Sequence, residues 1–290
     1  MIITLLGTGS PLPDPGRAGP ATLVRSEGAC VLVDCGRAVI MRLAAAGVLP
    51  MMLDAVLVTH LHSDHLTDLN DLITTHWIMA PEHEPLRIFG PLGVGEVVVA
   101  TLAALRPDID YRLAHHDDLT WRPNVEVVEV APGERFAAGR AVVTVGRSDH
   151  RPVEPSVAYR IDDGDRSVVA AGDGVPCDEL TELCRGADAY VQTVIRDDLV
   201  RAIPSARLQD ILGYHSTVEQ AAQTASRAHV GTLVLTHYVP PLQPGAEEEW
   251  RALAAAHFAG TIVLGDDLTS LQLPARSETV APSAPPATPA

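Results

Sequence analysis

The sequence predicts an α/β fold of four layers, two β-sheets packed face to face with helices on the outside (αββα). Three observations lead there. Strand-length apolar runs alternate with helix-period segments in the first part of the chain, a strand-rich stretch fills the middle, and the alternation returns near the end. Sheets clad by helices at both ends of a chain, with strands between them, bury most apolar surface when the two sheets share one core.

From the start, MIITLLG reads as a strand and GSPLPDPGRAGP as a loop punctuated by Pro and Gly. CVLVDCG is a buried strand that leads into the helix AVIMRLAAAG. DAVLVTH is the next strand, and LTDLNDLITTHWIMA continues as a helix. LRIFGP and VGEVVVATLAALR form a further strand and helix. The middle holds VEVVEV, RAVVTVGRSDH, SVAYRID and RSVVAAGD, the last two joined by a turn at Asp163-Gly164. The strand AYVQTVI, the helix TVEQAAQTASRA, the strand TLVLTH, the helix EEEWRALAAAHF and the strand TIVLGDD complete the pattern.

At 290 residues the chain is long enough to bury a sizeable core. Residues 1–273 read as one domain. Residues 274–290, rich in Pro, Ala, Ser and Thr, cannot bury a core and read as a disordered tail. The formal charge is −16, from 21 Lys and Arg against 37 Asp and Glu. Such a surface repels polyanions on average, so a nucleic acid would need a local basic patch or bound cations to approach. No apolar run reaches the length of a membrane span, and MIITLLGTGS carries neither a basic region nor a cleavage pattern, which points to the cytoplasm. Cys30, Cys35, Cys177 and Cys184 lack metal-site or redox spacing, and read as reduced structural thiols with Cys30 and Cys35 on opposite sides of one strand.

The chemistry concentrates in LVTHLHSDHL. In His60-x-His62-x-Asp64-His65, alternation puts His60 and His62 on one side of the chain, and Asp64 and His65 turn back towards the same point. That arrangement suits two metal ions. His150, Asp173 and His237 each follow an apolar run in the same way. One such residue is more often structural than functional, but strand ends along one sheet edge converge on a common cleft.

LLGTGSPLP, THLHSDH, the SDH of residues 148–150, AGD at 171–173, YHSTVEQAA at 214–222 and LTHY at 235–238 together resemble the metallo-β-lactamase superfamily, and within it the ribonuclease Z branch and its aryl-ester-cleaving relatives. The motifs occur in the family's order and span nearly the whole chain apart from the tail. The resemblance implies the metallo-β-lactamase fold, one metal held by His60, His62 and His150, another by Asp64, His65 and His237, and Asp173 bridging the two. It also implies catalytic roles for Asp64 and for His215, which would face the scissile phosphate. Histidine and carboxylate ligands without thiolate suit two Zn2+ per chain and leave Mn2+ or Fe2+ open. Two cations roughly 3.5–4 Å apart can hold nucleophile and substrate oxygen together and acidify a water, so that hydroxide is available to attack a phosphodiester. Locally, His215 stands just before Thr217, which with Gln220 has the spacing of a capped helix start.

Three features differ from the ribonuclease Z pattern. Only 22 residues separate His150 from Asp173, where the tRNA-clamping arm would lie. Gln192-Thr193-Val194-Ile195 stands where His-Glu-Ala-Thr is common, leaving Asp197 or Asp198 to support His215. Arg17 replaces a loop lysine. The first reading implied by the resemblance is a dinuclear metal-dependent phosphodiesterase or endoribonuclease of ribonuclease Z type, and these departures favour a small phosphodiester over tRNA as its substrate. It keeps an arylsulfatase or other small-ester hydrolase as the second reading and a catalytically silent metal-binding scaffold as the third. No membrane partner is expected, and a homodimer is left open.

Overall fold

The computed structural model describes residues 1–81 and 83–273. The tail read from residue 274 onward lies outside these. The chain begins with β1 (Ile2–Gly7), β2 (Ala21–Arg25) and β3 (Cys30–Val33), followed by α1 (Val39–Ala45), β4 (Ala55–Leu57), α2 (Leu69–Met79), β5 (Leu86–Gly90), α3 (Val94–His115) and β6 (Val125–Glu129). The strand-rich middle is β7 (Arg135–Ala138), β8 (Ala141–Arg147), β9 (Val157–Asp163) and β10 (Arg166–Ala170). Next come α4 (Asp178–Cys184), β11 (Ala189–Ile195), α5 (Asp197–Ala202), α6 (Ala206–Asp210), α7 (Val218–Arg227), β12 (Thr232–Val239), α8 (Glu247–Ala255), β13 (Thr261–Leu264) and β14 (Ser270–Gln272).

The strands form two seven-stranded sheets, ordered β14-β1-β2-β3-β4-β5-β6 and β13-β12-β11-β10-β9-β8-β7. Pairing is antiparallel from β14 to β3 and from β7 to β10, and parallel from β3 to β6 and from β10 to β13. Parallel neighbours need long crossovers, and the helices supply them. β4 and β11 are buried along their whole length, and β4 is apolar without alternation, as burial on both faces requires.

One core lies between the sheets, where Ile3, Leu5, Val33 and Leu57 meet Val143, Tyr159, Val191 and Val234. A second joins the outer face of the first sheet to α1, α2 and α3 through residues such as Val39, Leu43, Leu72 and Val98. A third joins the second sheet to α4, α7 and α8, where Ala221, Ala222 and Ala225 let α7 approach closely and Trp250 is fully covered. The four expected layers are therefore present.

The sequence reading omits three strands, β2, β7 and β14. Each is short, and β14 is only three residues held by pairing with β1, Ile2 opposite Gln272. Helix α3 runs past the expected end to His115, with Pro107 inside it. All four cysteines are free, and Cys35 lies beyond the end of β3 rather than on the strand with Cys30. Among the described residues no helix is long and apolar enough to cross a membrane.

The strand ends of both sheets meet along one edge, and the approach there is close. Gly172 has φ of +65°, and a Cβ on it would lie 2.7 Å from the Cβ and Oγ1 of Thr59 on the facing sheet. Gly172→Ala should therefore lower stability by on the order of 2 kcal/mol or more, combining left-handed strain with overpacking. Thermal or urea unfolding measures this, and a variant as stable as the parent would show that the two strand ends can move apart.

Candidate active site

Seven side chains from four segments converge on this edge. Beyond β4 the chain stays extended through His60 and His62, and one 3₁₀ turn at Ser63–His65 then swings Asp64 and His65 back. His150 follows β8, Asp173 follows β10, and His237 is within β12. All but His62 are buried. His60, His62, His150 and Asp173 form one group that could hold a metal, and Asp64, His65 and His237 form another; within each, the ligand atoms lie within 4.8 Å of one another.

Asp173 Oδ2 is the common point. It lies 3.5 Å from His65 Nε2, 3.7 Å from His237 Nε2, 3.8 Å from His60 Nε2 and 3.9 Å from His150 Nε2. Asp64 Oδ2 is 3.3 Å from His237 Nε2 and 3.6 Å from His65 Nε2. His62 Nδ1 is 3.1 Å from His60 Nε2 and 3.3 Å from His150 Nε2.

The outward nitrogens explain why these rings point as they do. His65 Nδ1 donates to Asp34 Oδ2 at 2.8 Å. Thr59 donates to the same carboxylate through its amide at 2.8 Å and its hydroxyl at 2.9 Å, and the hydroxyl accepts from His60 Nδ1 at 3.0 Å. His150 Nδ1 donates to the Tyr214 carbonyl at 2.9 Å. With the proton fixed outward on Nδ1, the Nε2 atoms of His60, His65 and His150 all present lone pairs inward. His62 Nδ1 can donate a proton to only one of His60 Nε2 and His150 Nε2, so at least one of these inward lone pairs gets no proton from it. His65 Nε2 and Asp173 Oδ1 are moreover buried without a hydrogen-bond partner. The donor set of imidazoles and carboxylates thus fits a pair of divalent ions of the zinc, manganese or iron type.

The protonation states agree. Burial pushes His60 well below its ordinary pKa, His62 below it, and His150 down to about 4, so these rings are neutral and able to ligate. Burial alone would raise Asp173 and Asp64. The charges of neighbouring His237 and His65, with the His215 hydrogen bond to Asp173 and the His237 hydrogen bond to Asp64, outweigh it and hold both carboxylates below their ordinary range, Asp173 far below. Burial alone would lower His65 and His237, yet Asp34 and Asp173 around the first, and Asp173 and Asp64 around the second, raise both. A divalent cation satisfies the same carboxylates in place of those protons.

His215 stands over this centre, its Nε2 3.3 Å from Asp173 Oδ2. The helix behind it starts with the expected capping box, the Thr217 amide donating to Gln220 Oε1 at 2.9 Å and the Gln220 amide to Thr217 Oγ1 at 3.2 Å. The expected carboxylate support is different from that read in the sequence. Asp197 pairs with Arg201 and Asp198 with Arg196, whereas His215 Nδ1 donates to the Ile211 carbonyl at 3.1 Å. Gln192 is instead tied to the strand end, its Nε2 donating to the Gly172 carbonyl at 3.1 Å. Arg17 bonds Thr8 and Asp266 and lies over the Tyr238 ring, next to His237. The other six histidines, His76, His83, His115, His116, His229 and His257, stay away from the cluster; His76 is buried in α2 and the rest are exposed.

Sequence reasoning overlooked Asp34 and Thr59. Asp34 closes the apolar run of β3 just as Asp173 closes that of β10, so the signal that singled out one was present for the other. Its left-handed backbone, φ +61°, matched at the site by His237 with +52°, was not readable in advance.

A family model described as the beta-lactamase superfamily domain matches residues 30–238. A ribonuclease Z of Mycobacterium avium (strain 104) is 56% identical over 277 residues, covering 95% of this chain and 99% of the relative. A ribonuclease Z of Mycolicibacterium gilvum (strain PYR-GCK) is 55% identical over 273 residues, 93% of this chain and 96% of the relative. Among solved structures, the metallo-beta-lactamase fold protein YhfI from Bacillus subtilis superposes with a TM-score of 0.73 at 23% identity over 93% of this chain and 98% of its own. Human tRNase Z, short form, superposes with a TM-score of 0.70 at 25% identity over 95% and 100%. These relatives correct the preference against tRNA. The curated ones are matched over almost their full length, which leaves no room in them for a longer arm than this chain has.

Asp34→Ala should weaken metal binding by about 10–100-fold, the usual loss when a ligating histidine is deprived of its orienting carboxylate. Chelator competition monitored by metal release measures this. Unchanged affinity would show that packing alone orients His65.

Proposed function

This chain belongs to the beta-lactamase superfamily and, within it, to the ribonuclease Z proteins, metal-dependent hydrolytic endoribonucleases, and from that premise we propose that it trims precursor tRNA at a dinuclear centre. The observation that carries this reading is Asp173 Oδ2, lying between two groups of potential ligands with His215 beside it. His60, His62 and His150 would hold one ion, Asp64, His65 and His237 the other, and Asp173 both. Bound there, two divalent ions supply Lewis acidity, lowering the pKa of a water and offsetting phosphate charge.

The protein's own contribution is orientation and proton handling. Asp34, Thr59 and the Tyr214 carbonyl orient His65, His60 and His150 with Nε2 inward, where a bound cation would take the place of the proton that Asp34 and Asp173 favour on His65. His215 faces two acceptors, the Ile211 carbonyl and the Asp173 carboxylate. Both are satisfied together only with a proton on each ring nitrogen. That form can donate from Nε2 to the phosphoryl oxygens as charge develops, or deliver the proton to the leaving oxygen. Asp64 is the second carboxylate at the reacting centre. The surroundings are nearly closed to water, with His60, His65 and Asp173 exposed by 2% or less, so these interactions act at low dielectric. Four free cysteines suit the reducing cytoplasm, where we place the enzyme.

Asp173→Asn should lower metal content from about two ions per chain and abolish turnover, because a dinuclear site needs its shared ligand. Elemental analysis beside activity checks this; full occupancy with full activity would remove the bridging role. His215→Ala should keep its metals and lose on the order of 10² or more in kcat. The zinc-loaded protein should be assayed on precursor tRNA, a bis-aryl phosphate and an aryl sulfate in parallel. Accurate trimming of the RNA supports the proposal. Turnover confined to the aryl sulfate would transfer the site to the second reading, and metal loss in His215→Ala would make that residue a ligand.

A further inference from the structure

Between β11 and His215 the chain runs through α5, α6 and one 3₁₀ turn, Ile211–Gly213. This stretch brings two backbone carbonyls to rings at the reacting centre. The Ile211 carbonyl accepts from His215 Nδ1 at 3.1 Å, and the Tyr214 carbonyl accepts from His150 Nδ1 at 2.9 Å. A carbonyl lies in the plane of its peptide and cannot turn by itself. Whatever holds the 3₁₀ turn therefore decides where His215 points.

The turn is held by a small apolar cluster of its own. Ile195 at the end of β11, Val239 at the end of β12 and Val200 in α5 are its buried members, exposed by 0%, 7% and 1%, and Ile211 and Leu212 pack against them. None of the five belongs to the three large cores. Ile195 and Val239 are paired neighbours in the second sheet, which makes them a fixed floor. The Ile195 amide donates to the Ser216 carbonyl at 2.9 Å and the Arg196 amide to the Val239 carbonyl at 2.8 Å, so this floor is tied to the residue that follows His215. Val200 is the member that comes from a helix. Arg196 fixes that helix in turn: its guanidinium donates to both Asp198 oxygens at 2.7 Å and lies 5.6 Å from the centre of the Trp250 ring.

We propose that Val200 is a positioning residue for His215. By packing with Ile211 and Leu212 on the ends of β11 and β12, it holds the Ile211 carbonyl in line with His215 Nδ1 and keeps Nε2 facing Asp173 Oδ2, 3.3 Å away. This deepens the reading of His215 as the proton donor of a ribonuclease and rests on it. Truncating a buried side chain leaves space into which its neighbours partly relax. Here the neighbour is the turn that carries the acceptor, and a misplacement of about 1 Å at a catalytic group costs on the order of 10² in rate.

The test measures metal content, kcat and KM for Val200→Ala, His215→Ala and the double variant, each loaded with zinc, on precursor tRNA and on a bis-aryl phosphate. Val200→Ala should keep about two ions per chain and lose about tenfold or more in kcat, with KM within about twofold of the parent. In the His215→Ala background the same substitution should change kcat by less than about twofold, because its effect passes through the ring that is missing. A loss that repeats in full in that background, an unchanged kcat in the single variant, or a loss of metal would overturn the assignment. Leu212→Ala, on the turn itself, gives the same comparison should Val200→Ala not fold. The same coupling on the bis-aryl phosphate without cleavage of precursor tRNA would support the positioning role and count against the ribonuclease reading.

Discussion

The structure depends on keeping several imidazole lone pairs pointed at one buried region. A histidine does this only when its other nitrogen carries the proton and has somewhere to donate it. Asp34 serves His65, Thr59 serves His60, and the backbone carbonyl of Tyr214 serves His150. Remove an outward acceptor and a ring can flip or change tautomer, placing an N–H where a lone pair is needed. The inward set then loses a donor to any cation.

This requirement reaches into the backbone. Asp34 accepts from both the amide and the hydroxyl of Thr59, which ties the end of β3 to the continuation of β4. Gln192 and Thr193 of β11 donate to the Gly172 carbonyl, fixing the turn that presents Asp173. Asp34 and His237 hold left-handed backbone conformations, which cost about 1–3 kcal/mol each for residues other than glycine. Such strain persists where neighbouring contacts determine the conformation, here the packed cores above and below each sheet.

The acidic surface and the polyanionic substrate are reconciled at short range. With a net charge of −16 the protein gains little from long-range steering. Binding must then draw on the metals, on a few local arginines and on contacts that carry no charge.

How much of this was legible in the sequence depends on distance along the chain. The helix-clad sheets were readable because double-sided burial makes a strand such as β4 continuously apolar, and THLHSDH was readable because four potential ligands sit within six residues. His150, Asp173 and His237 could be singled out as polar residues ending apolar runs, but grouping them came from resemblance. Short strands such as β14 were not legible, because three residues carry no periodic signal and their pairing partner is at the other end of the chain. The support of His215 was misread for a related reason. The sequence advertises carboxylates at Asp197 and Asp198, whereas every residue has a backbone carbonyl, and only the tertiary fold selects that of Ile211. The sequence by itself determined which chemistry-bearing side chains exist and on which kind of element each sits. The tertiary structure alone decided which outward contact fixes each ring, because that is set by packing between segments far apart in the chain.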